Sequence, residues 1–304
     1  MQSAKAAIMA FLCRAAPVPA FGPQRPERIQ AANASRHARQ DMKPNNIRNL
    51  WQQKNPVVNG WLSIPSSFSA EVMAHLGWDS LCVDLQHGVI DYQTAVGMLQ
   101  AICTTEVTPI MRVPWNDPAI IMKCLDAGAY GIICPMINTR EEAQRFVRAC
   151  RYAPVGYRSS GPIRAQLWAG DDYHDKANDT IVTFAMIETA EAVKNLDSIL
   201  STSGLDAVYI GPSDLSISLG GKPGLDQTDP KVVGAIEEIL AGCKRHGVHA
   251  GLHTGSPAYA KAMIAKGFEF VTLLNDSRLL TQAARKVVEE TRSSGGEKRE
   301  GGVY

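Results

Sequence analysis

Apolar residues in this chain gather into short, continuous, β-branched runs, and helical spacing fills the stretches between them. Continuous apolar runs of this length read as strands buried on both faces, the pattern of a parallel sheet. Gly60-Trp-Leu-Ser-Ile64 is the first, followed by a helix from about Ser69 to Leu76. Ser80-Leu-Cys-Val-Asp84 leads to a helix from about Tyr92 to Cys103, and Pro109-Ile-Met-Arg112 to one ending near Ala127-Gly128. In the latter, Asp117 is placed as N-cap, Pro118 at the first helical position and Gly128 as the stop. Gly131-Ile-Ile-Cys-Pro-Met136 is the fourth strand, and Thr139-Arg-Glu-Glu142 opens its helix with a capping-box pattern. A long irregular stretch is expected from Arg151 to Asp179. Val182 to Glu188 is the fifth strand, with a helix to about Leu200, and Ala207 to Asp214 the sixth, with a helix over Pro230 to His246. Val248 to His253 and Phe270 to Leu274 complete the strands, and an amphipathic helix closes the chain from about Ser277 to Thr291. Eight strand–helix units in series predict a (β/α)8 TIM barrel. The rival, a doubly wound sheet, usually carries GxGxxG after its first strand, and none stands there.

Four of these runs end on a polar residue that a buried strand has no reason to carry: His87, Arg112, Glu188 and Asp214. In a parallel barrel every strand's C-terminal end opens on one face, so the four should converge. Glu188 and Asp214 end consecutive strands, and two carboxylates that close repel unless they share a proton or a cation. With water and substrate oxygens they suit a hard divalent ion, Mg²⁺, Mn²⁺ or Co²⁺; the other reading is a pair of solvated acids capping helices. A structural zinc would want His or Cys beside them. Arg112 is suited to a bidentate grip on a carboxylate, aided by the N–H groups of Ser213 and Asp214 in Gly211-Pro-Ser-Asp-Leu-Ser216. His87, at a strand end near a metal, is placed as general base. Asp84 is expected inside the barrel, orienting local groups. His253 shows no obvious partner and reads as structural or peripheral. Ser218-Leu-Gly-Gly-Lys-Pro-Gly224 lacks the ending of a phosphate loop and reads as a flexible rim loop.

Composition narrows the class. A net charge of +1 over 304 residues offers no surface for nucleic acid or membrane, and no apolar run reaches the roughly 18 residues of a span. The seven Cys form no CxxC pair; Cys82 and Cys134 fall within strands, as small core residues of a reducing, cytoplasmic setting. Residues 1–45 stand apart, rich in Ala, Arg and Pro; they read as a transit peptide, a signal peptide or, the favoured reading, an upstream start with Met42 as the true beginning. The barrel is assigned to 46–292, and the Gly/Lys/Arg-rich tail 293–304 is a frayed end.

Asp84-Leu-Gln-His87, Arg112-Val-Pro, Leu125-Asp-Ala-Gly128, Pro135-Met, Arg151-Tyr-x-Pro, Ile187-Glu188 and Tyr209-Ile-Gly-Pro-Ser-Asp-Leu-Ser216, in this order, resemble the HpcH/HpaI aldolases over about Pro56 to Thr291. The resemblance implies a barrel of the phosphoenolpyruvate/pyruvate-binding type and a metal-dependent class II aldolase, the 4-hydroxy-2-oxoheptanedioate or 2-dehydro-3-deoxyglucarate aldolase type. It implies Glu188 and Asp214 as metal ligands, Arg112 as anchor of the pyruvoyl group, His87 as acid/base and Asp126 as the partner of that His. The expected reaction is reversible cleavage of a 4-hydroxy-2-oxo acid to pyruvate and an aldehyde, in a homo-oligomer (trimer or hexamer) with shared sites. Oxaloacetate decarboxylation, lysis of a malyl- or citramalyl-type CoA thioester, and carboxylate binding without catalysis are the other classes open to such a site. No Lys ends a strand, which speaks against a Schiff-base aldolase. Gln86 stands where the family often has Glu, Met186 where it often has Gln, and Gly156 to Arg164 departs from the commoner Gly-x-Arg-Gly, differences that bear on the substrate.

Overall fold

The computed structural model describes residues 40–293. Most of the N-terminal extension and nearly all of the C-terminal tail assigned above lie outside the described residues. Eight parallel strands close in chain order, with β8 beside β1. They are β1 Val57–Leu62, β2 Ser80–Asp84, β3 Thr108–Arg112, β4 Gly131–Cys134, β5 Val182–Ile187, β6 Ala207–Ile210, β7 His249–Thr254 and β8 Phe270–Leu273. The predicted (β/α)8 barrel is therefore the fold.

Alternation along each strand divides the core. Val57, Trp61, Cys82, Ile110, Ile133, Phe184, Met186, Tyr209 and Phe270 fill the barrel lumen, while the intervening Leu62, Leu81, Val83, Met111, Ile132, Val208 and Leu252 pack under the helices. Both faces being apolar explains why the strands read as unbroken hydrophobic runs. Cys82 and Cys134 are buried and free, as expected, and burial pushes both thiols well above their ordinary range.

The helices, numbered in chain order, are α1 Asn46–Gln52, α2 Ser67–Ala74, α3 Tyr92–Ile102, α4 Pro118–Asp126, α5 Arg140–Cys150, α6 Ile163–Ala169, α7 Tyr173–Thr180, α8 Ala190–Lys194, α9 Leu196–Leu200, α10 Pro212–Ser218, α11 Pro230–His246, α12 Pro257–Lys266 and α13 Asp276–Ser293. Asp117 caps α4 with Pro118 at its start, and Thr139 and Glu142 make both hydrogen bonds of a capping box on α5, each cap worth about 1 kcal/mol.

Three features differ from expectation. The stretch Arg151 to Asp179 contains α6 and α7, which start without a side-chain cap hydrogen bond and so carry no start signal. The crossover between β7 and β8 holds α12, capped by Ser256. Helix α1 closes the floor: Ile47 and Trp51 join the lumen cluster, and Trp51 stacks on His249 at 3.9 Å. Residues before it are tied in as well, with Met42 N–H donating to Asp172 and Asn45 Nδ2 to the Tyr130 and Thr180 carbonyls.

Candidate active site

The C-terminal mouth of the barrel holds a cavity of about 230 Å³ lined by Trp61, Asp84, His87, Arg112, Tyr209, Ser213, Asp214, His253 and Arg278 among others. Its organising residue is Asp84. Register pairs Asp84 directly with Arg112 at the ends of β2 and β3, and both point into the lumen. Arg112 donates from Nε to Oδ1 (2.8 Å) and from Nη2 to Oδ2 (2.5 Å), a bidentate pair. Trp61 Nε1 donates to Oδ2 (3.1 Å) and its ring lies 4.7 Å from the guanidinium. The N–H groups of Gln86 and His87 donate to Oδ1. Burial opposes ionisation of Asp84, but Arg112 outweighs it and holds the carboxyl below its ordinary value. The expected orienting role of Asp84 is thus met: one carboxylate fixes Arg112 edge-on, leaves Nη1 unused among the described hydrogen bonds, and folds the loop that carries His87. Gly88 makes that turn possible, since a Cβ there would overlap the Asp84 carbonyl oxygen.

Glu188 follows β5 and is buried. Its Oε1 accepts the N–H of Met136 (2.8 Å), a residue held at φ +56°. Its Oε2 lies 2.5 Å from where a Gly211 Cβ would stand, so only glycine lets β6 approach this closely. Burial pushes the Glu188 carboxyl up to about 7; the Met136 N–H opposes this, nearby Asp214 adds to it and Arg112 lowers it. Asp214 sits in the first turn of α10, exposed to the cavity, and its carboxylate makes no hydrogen bond or ion pair among the described residues. Two neighbouring carboxylates, one raised by burial and further by the other, with no cationic side chain bonded to either among the described residues, fit a hard divalent ion. Among the described residues no group of three or more His, Cys, Asp or Glu could hold a metal. The protein would supply two oxygens and leave the other positions to water and substrate, the habit of Mg²⁺ rather than structural zinc.

The remaining residues divide. His87 is exposed at the rim, and its ring has no partner among the described residues. Ser213 lines the cavity and its Oγ donates to the Gly224 carbonyl (3.1 Å). In the first turn of a helix the N–H groups of Ser213 and Asp214 have no intrahelical acceptor. Asp126 is not among the cavity residues. It ends α4, whose C-terminus lies on the opposite face, and there it pairs with Arg158 (2.7 Å). The loop Ser218 to Gly224, expected to be loose, is pinned by Ser216 Oγ to the Lys222 carbonyl and by Gln227 Nε2 to that of Gly224.

His253 differs from its expected isolation. Its Nδ1 accepts from the Tyr209 hydroxyl (2.9 Å), its Nε2–H donates to the Leu274 carbonyl (3.0 Å), and it packs edge-on to Trp61 at 5.1 Å. Burial, then Arg112, lowers its pKa to about 4. Trp61, Tyr209 and Arg278 were not singled out in the sequence. Trp61 shares inward parity with Asn59, and Tyr209 with Gly211, the only signal available for them.

Comparisons with known proteins agree on one family. Residues 60–283 match the model of the HpcH/HpaI aldolase/citrate lyase family. The hydroxypyruvate/pyruvate aldolase of Rhizorhabdus wittichii is 43% identical over 249 residues, covering 82% of this chain and 99% of that protein. The 4-hydroxy-2-oxo-heptane-1,7-dioate aldolase of Escherichia coli is 39% identical over 234 residues, covering 75% of this chain and 88% of that protein. Among solved structures, an HpcH/HpaI aldolase/citrate lyase family protein from Burkholderia cenocepacia superposes with a TM-score of 0.77 at 31% identity, covering 82% of this chain and 99% of that one.

Proposed function

The chain belongs to the HpcH/HpaI aldolase/citrate lyase family, and from that premise we propose that it catalyses reversible cleavage of a 4-hydroxy-2-oxo acid to pyruvate and an aldehyde. The observation that carries this reading is the convergence of Arg112, His87 and Asp214 on one cavity, with Glu188 buried behind it. Glu188 and Asp214 would hold a divalent cation, Mg²⁺, Mn²⁺ or Co²⁺, which when bound supplies a Lewis acid for the oxygens of the 2-oxo acid.

Arg112 has one task on this reading: its unused Nη1 faces the developing enolate oxygen and the pyruvoyl group. Pinned by Asp84, it needs no reorganisation as charge develops. The base, His87, takes the proton of the C4 hydroxyl. As the C3–C4 bond breaks, the carbonyl of the aldehyde forms and the bond's electron pair passes into the C2–C3 enolate, which becomes pyruvate on protonation at C3. The N–H groups of Ser213 and Asp214 hold the substrate carboxylate.

Two observations support a shared site. The His87 ring has no partner within its own chain among the described residues, and Asp126, held by Arg158 on the far face, is 28% exposed. An Asp126 from a neighbouring subunit orients His87 on this reading. The exposed stripe Leu280, Val287 and Val288 on α13 suits docking on that neighbour. We place the enzyme as a cytoplasmic trimer or hexamer; the six cysteines among the described residues are all free, which fits a reducing compartment. Among the described residues no helix is long and apolar enough to cross a membrane.

The test is an assay of the purified protein against 4-hydroxy-2-oxo acids, with oxaloacetate alongside, before and after chelation. Activity should vanish in EDTA and return with Mg²⁺, Mn²⁺ or Co²⁺. Full cleavage in chelator ends the metal-dependent reading, and turnover of oxaloacetate alone replaces the aldolase by a decarboxylase.

A further inference from the structure

The deep end of the cavity carries several polar side chains, and their hydrogen bonds are already committed to one another. Tyr209 and His253 line it. The Leu274 carbonyl can only accept, so His253 Nε2 donates to it (3.0 Å) and Nδ1 is left to accept from the Tyr209 hydroxyl (2.9 Å). The commitment runs on across the lumen. Ser80 Oγ–H donates to Asn59 Oδ1 (2.8 Å), and Asn59 Nδ2 donates to Thr272 Oγ1 (3.0 Å). The Thr272 proton is thereby left for the Tyr209 oxygen beside it. Five side chains on five strands form one row of donors that all point the same way. Trp61, which also lines the cavity, gives its N–H to Asp84, whose oxygens Arg112 already holds.

Met186 stands among these groups. Register sets it opposite Tyr209, and strand parity turns it inward two residues before Glu188. It lines the cavity although only 1% of it is exposed. A Cβ on Gly211 would lie 3.1 Å from Met186 Cε and 2.5 Å from Glu188 Oε2. The thioether methyl therefore rests against Gly211, beside the Glu188 carboxylate, at the residue that caps α10. That is where a 2-oxo acid would be held between Arg112 and the first turn of α10. Its carboxylate and its keto oxygen have partners there, whereas a group on C3 would meet the Met186 methyl and the aromatic rings.

We propose that Met186 is a specificity residue for the nucleophile: it makes the deep end accept a 2-oxo acid whose C3 carries hydrogen or a methyl group and reject one whose C3 carries a hydroxyl. The inference rests on the aldolase reading above. A hydroxyl brought to this floor gives up its bonds to water and finds no spare donor or acceptor in return, because Tyr209, His253 and Trp61 have given theirs to each other and to Asp84. An apolar pocket separates a methyl from a hydroxyl of the same size by up to about 10²-fold.

The experiment compares 2-oxobutanoate with hydroxypyruvate, which differ only in a methyl or a hydroxyl on C3, with pyruvate as the reference. Each is added to acetaldehyde by the full chain with Mg²⁺ or Mn²⁺, and the readout is the ratio of kcat/KM for 2-oxobutanoate to that for hydroxypyruvate. Wild type should favour 2-oxobutanoate by about tenfold or more. Met186→Gln, which brings a donor and an acceptor to the floor, should lower the ratio about tenfold. Met186→Ala, which admits water, should lower it in the same direction and serves if the Gln variant does not fold. Met186→Leu should hold the ratio. Hydroxypyruvate should also compete with pyruvate more weakly than 2-oxobutanoate does, a reading that needs no variant. A wild-type ratio near one, or in favour of hydroxypyruvate, overturns the inference. So does a ratio that survives in the polar or shortened variants, or one that Met186→Leu loses as fully as Met186→Gln. Absence of pyruvate turnover by wild type overturns the aldolase reading and the inference with it, whereas robust pyruvate turnover without discrimination at C3 removes the inference alone.

Discussion

The neutral His253 beneath the site predicts a specific loss of stability in acid. In the unfolded chain a histidine binds its proton below about pH 6.5. In the fold, burial, and then the Arg112 charge, hold His253 neutral down to about 4. Its hydrogen bonds need the neutral ring, since Nδ1 must accept from Tyr209 while Nε2–H donates to Leu274. Between these values the unfolded state binds a proton that the native state refuses, so stability rises with pH. The contribution is complete above pH 6.5 and is withdrawn as the pH falls toward 4. Linkage gives a loss of about 2 kcal/mol at pH 5 and about 3 kcal/mol at pH 4 relative to pH 7. The comparison variant is His253→Gln, whose amide can accept from Tyr209 and donate to Leu274 but does not titrate. Urea unfolding of both proteins from pH 7 to pH 4 should show the gap between them shifting in favour of the variant by those amounts. Parallel profiles would refute the argument, because every other titrating group is common to the two.

Removing the Asp84 charge with Asp84→Asn strands Arg112 without a counter-ion and should cost about 3–5 kcal/mol in urea unfolding; wild-type stability would show that the pair is not the keystone of the rim. His87→Ala should lose aldol cleavage by about 10²-fold or more while keeping most oxaloacetate decarboxylation, where no hydroxyl proton moves; equal loss of both assigns His87 to binding. Mixing Asp126→Ala with His87→Ala under conditions that exchange subunits should restore part of the activity, and a monodisperse, fully active monomer would sink the shared site.

What could be read from the chain follows from where its signals lie. Asp84, Arg112 and Glu188 were visible because each interrupts or ends an apolar run, and parallel strands then bring such residues together whatever their separation. Asp117, Pro118 and Thr139 were visible because capping is local. Helices α6 and α7 were not, since neither is capped by a side chain and α6 leaves Ile163 and Leu167 exposed, blurring its apolar face. The partners of His253 were hidden for a different reason. Tyr209 lies on β6 and Leu274 just after β8, and only the pairing of β7 with both of those strands places the ring between them. Arg278 was masked by the stripe of α13, whose apolar spacing draws attention to its opposite face.

This difference in legibility matches a difference in energetics. On the reading proposed above, the pyruvoyl end is built from buried groups whose partners are fixed: register sets Asp84 against Arg112, and Glu188 takes the N–H of Met136. Changing one of these leaves an unpaired buried charge or donor, at several kcal/mol. Leu225, Asn275 and Arg278, which line the same cavity, stand on a loop and at a helix start. Arg278 is exposed, and a substitution at such a position normally moves stability by no more than about 0.5 kcal/mol. A barrel organised in this way can vary its rim residues without disturbing the buried pairs beneath them. It follows that Arg278→Ala should unfold at nearly the wild-type urea concentration, where Asp84→Asn should not. A large loss of stability in that variant would place Arg278 in the scaffold instead, and the division between buried pairs and exposed rim would fail with it.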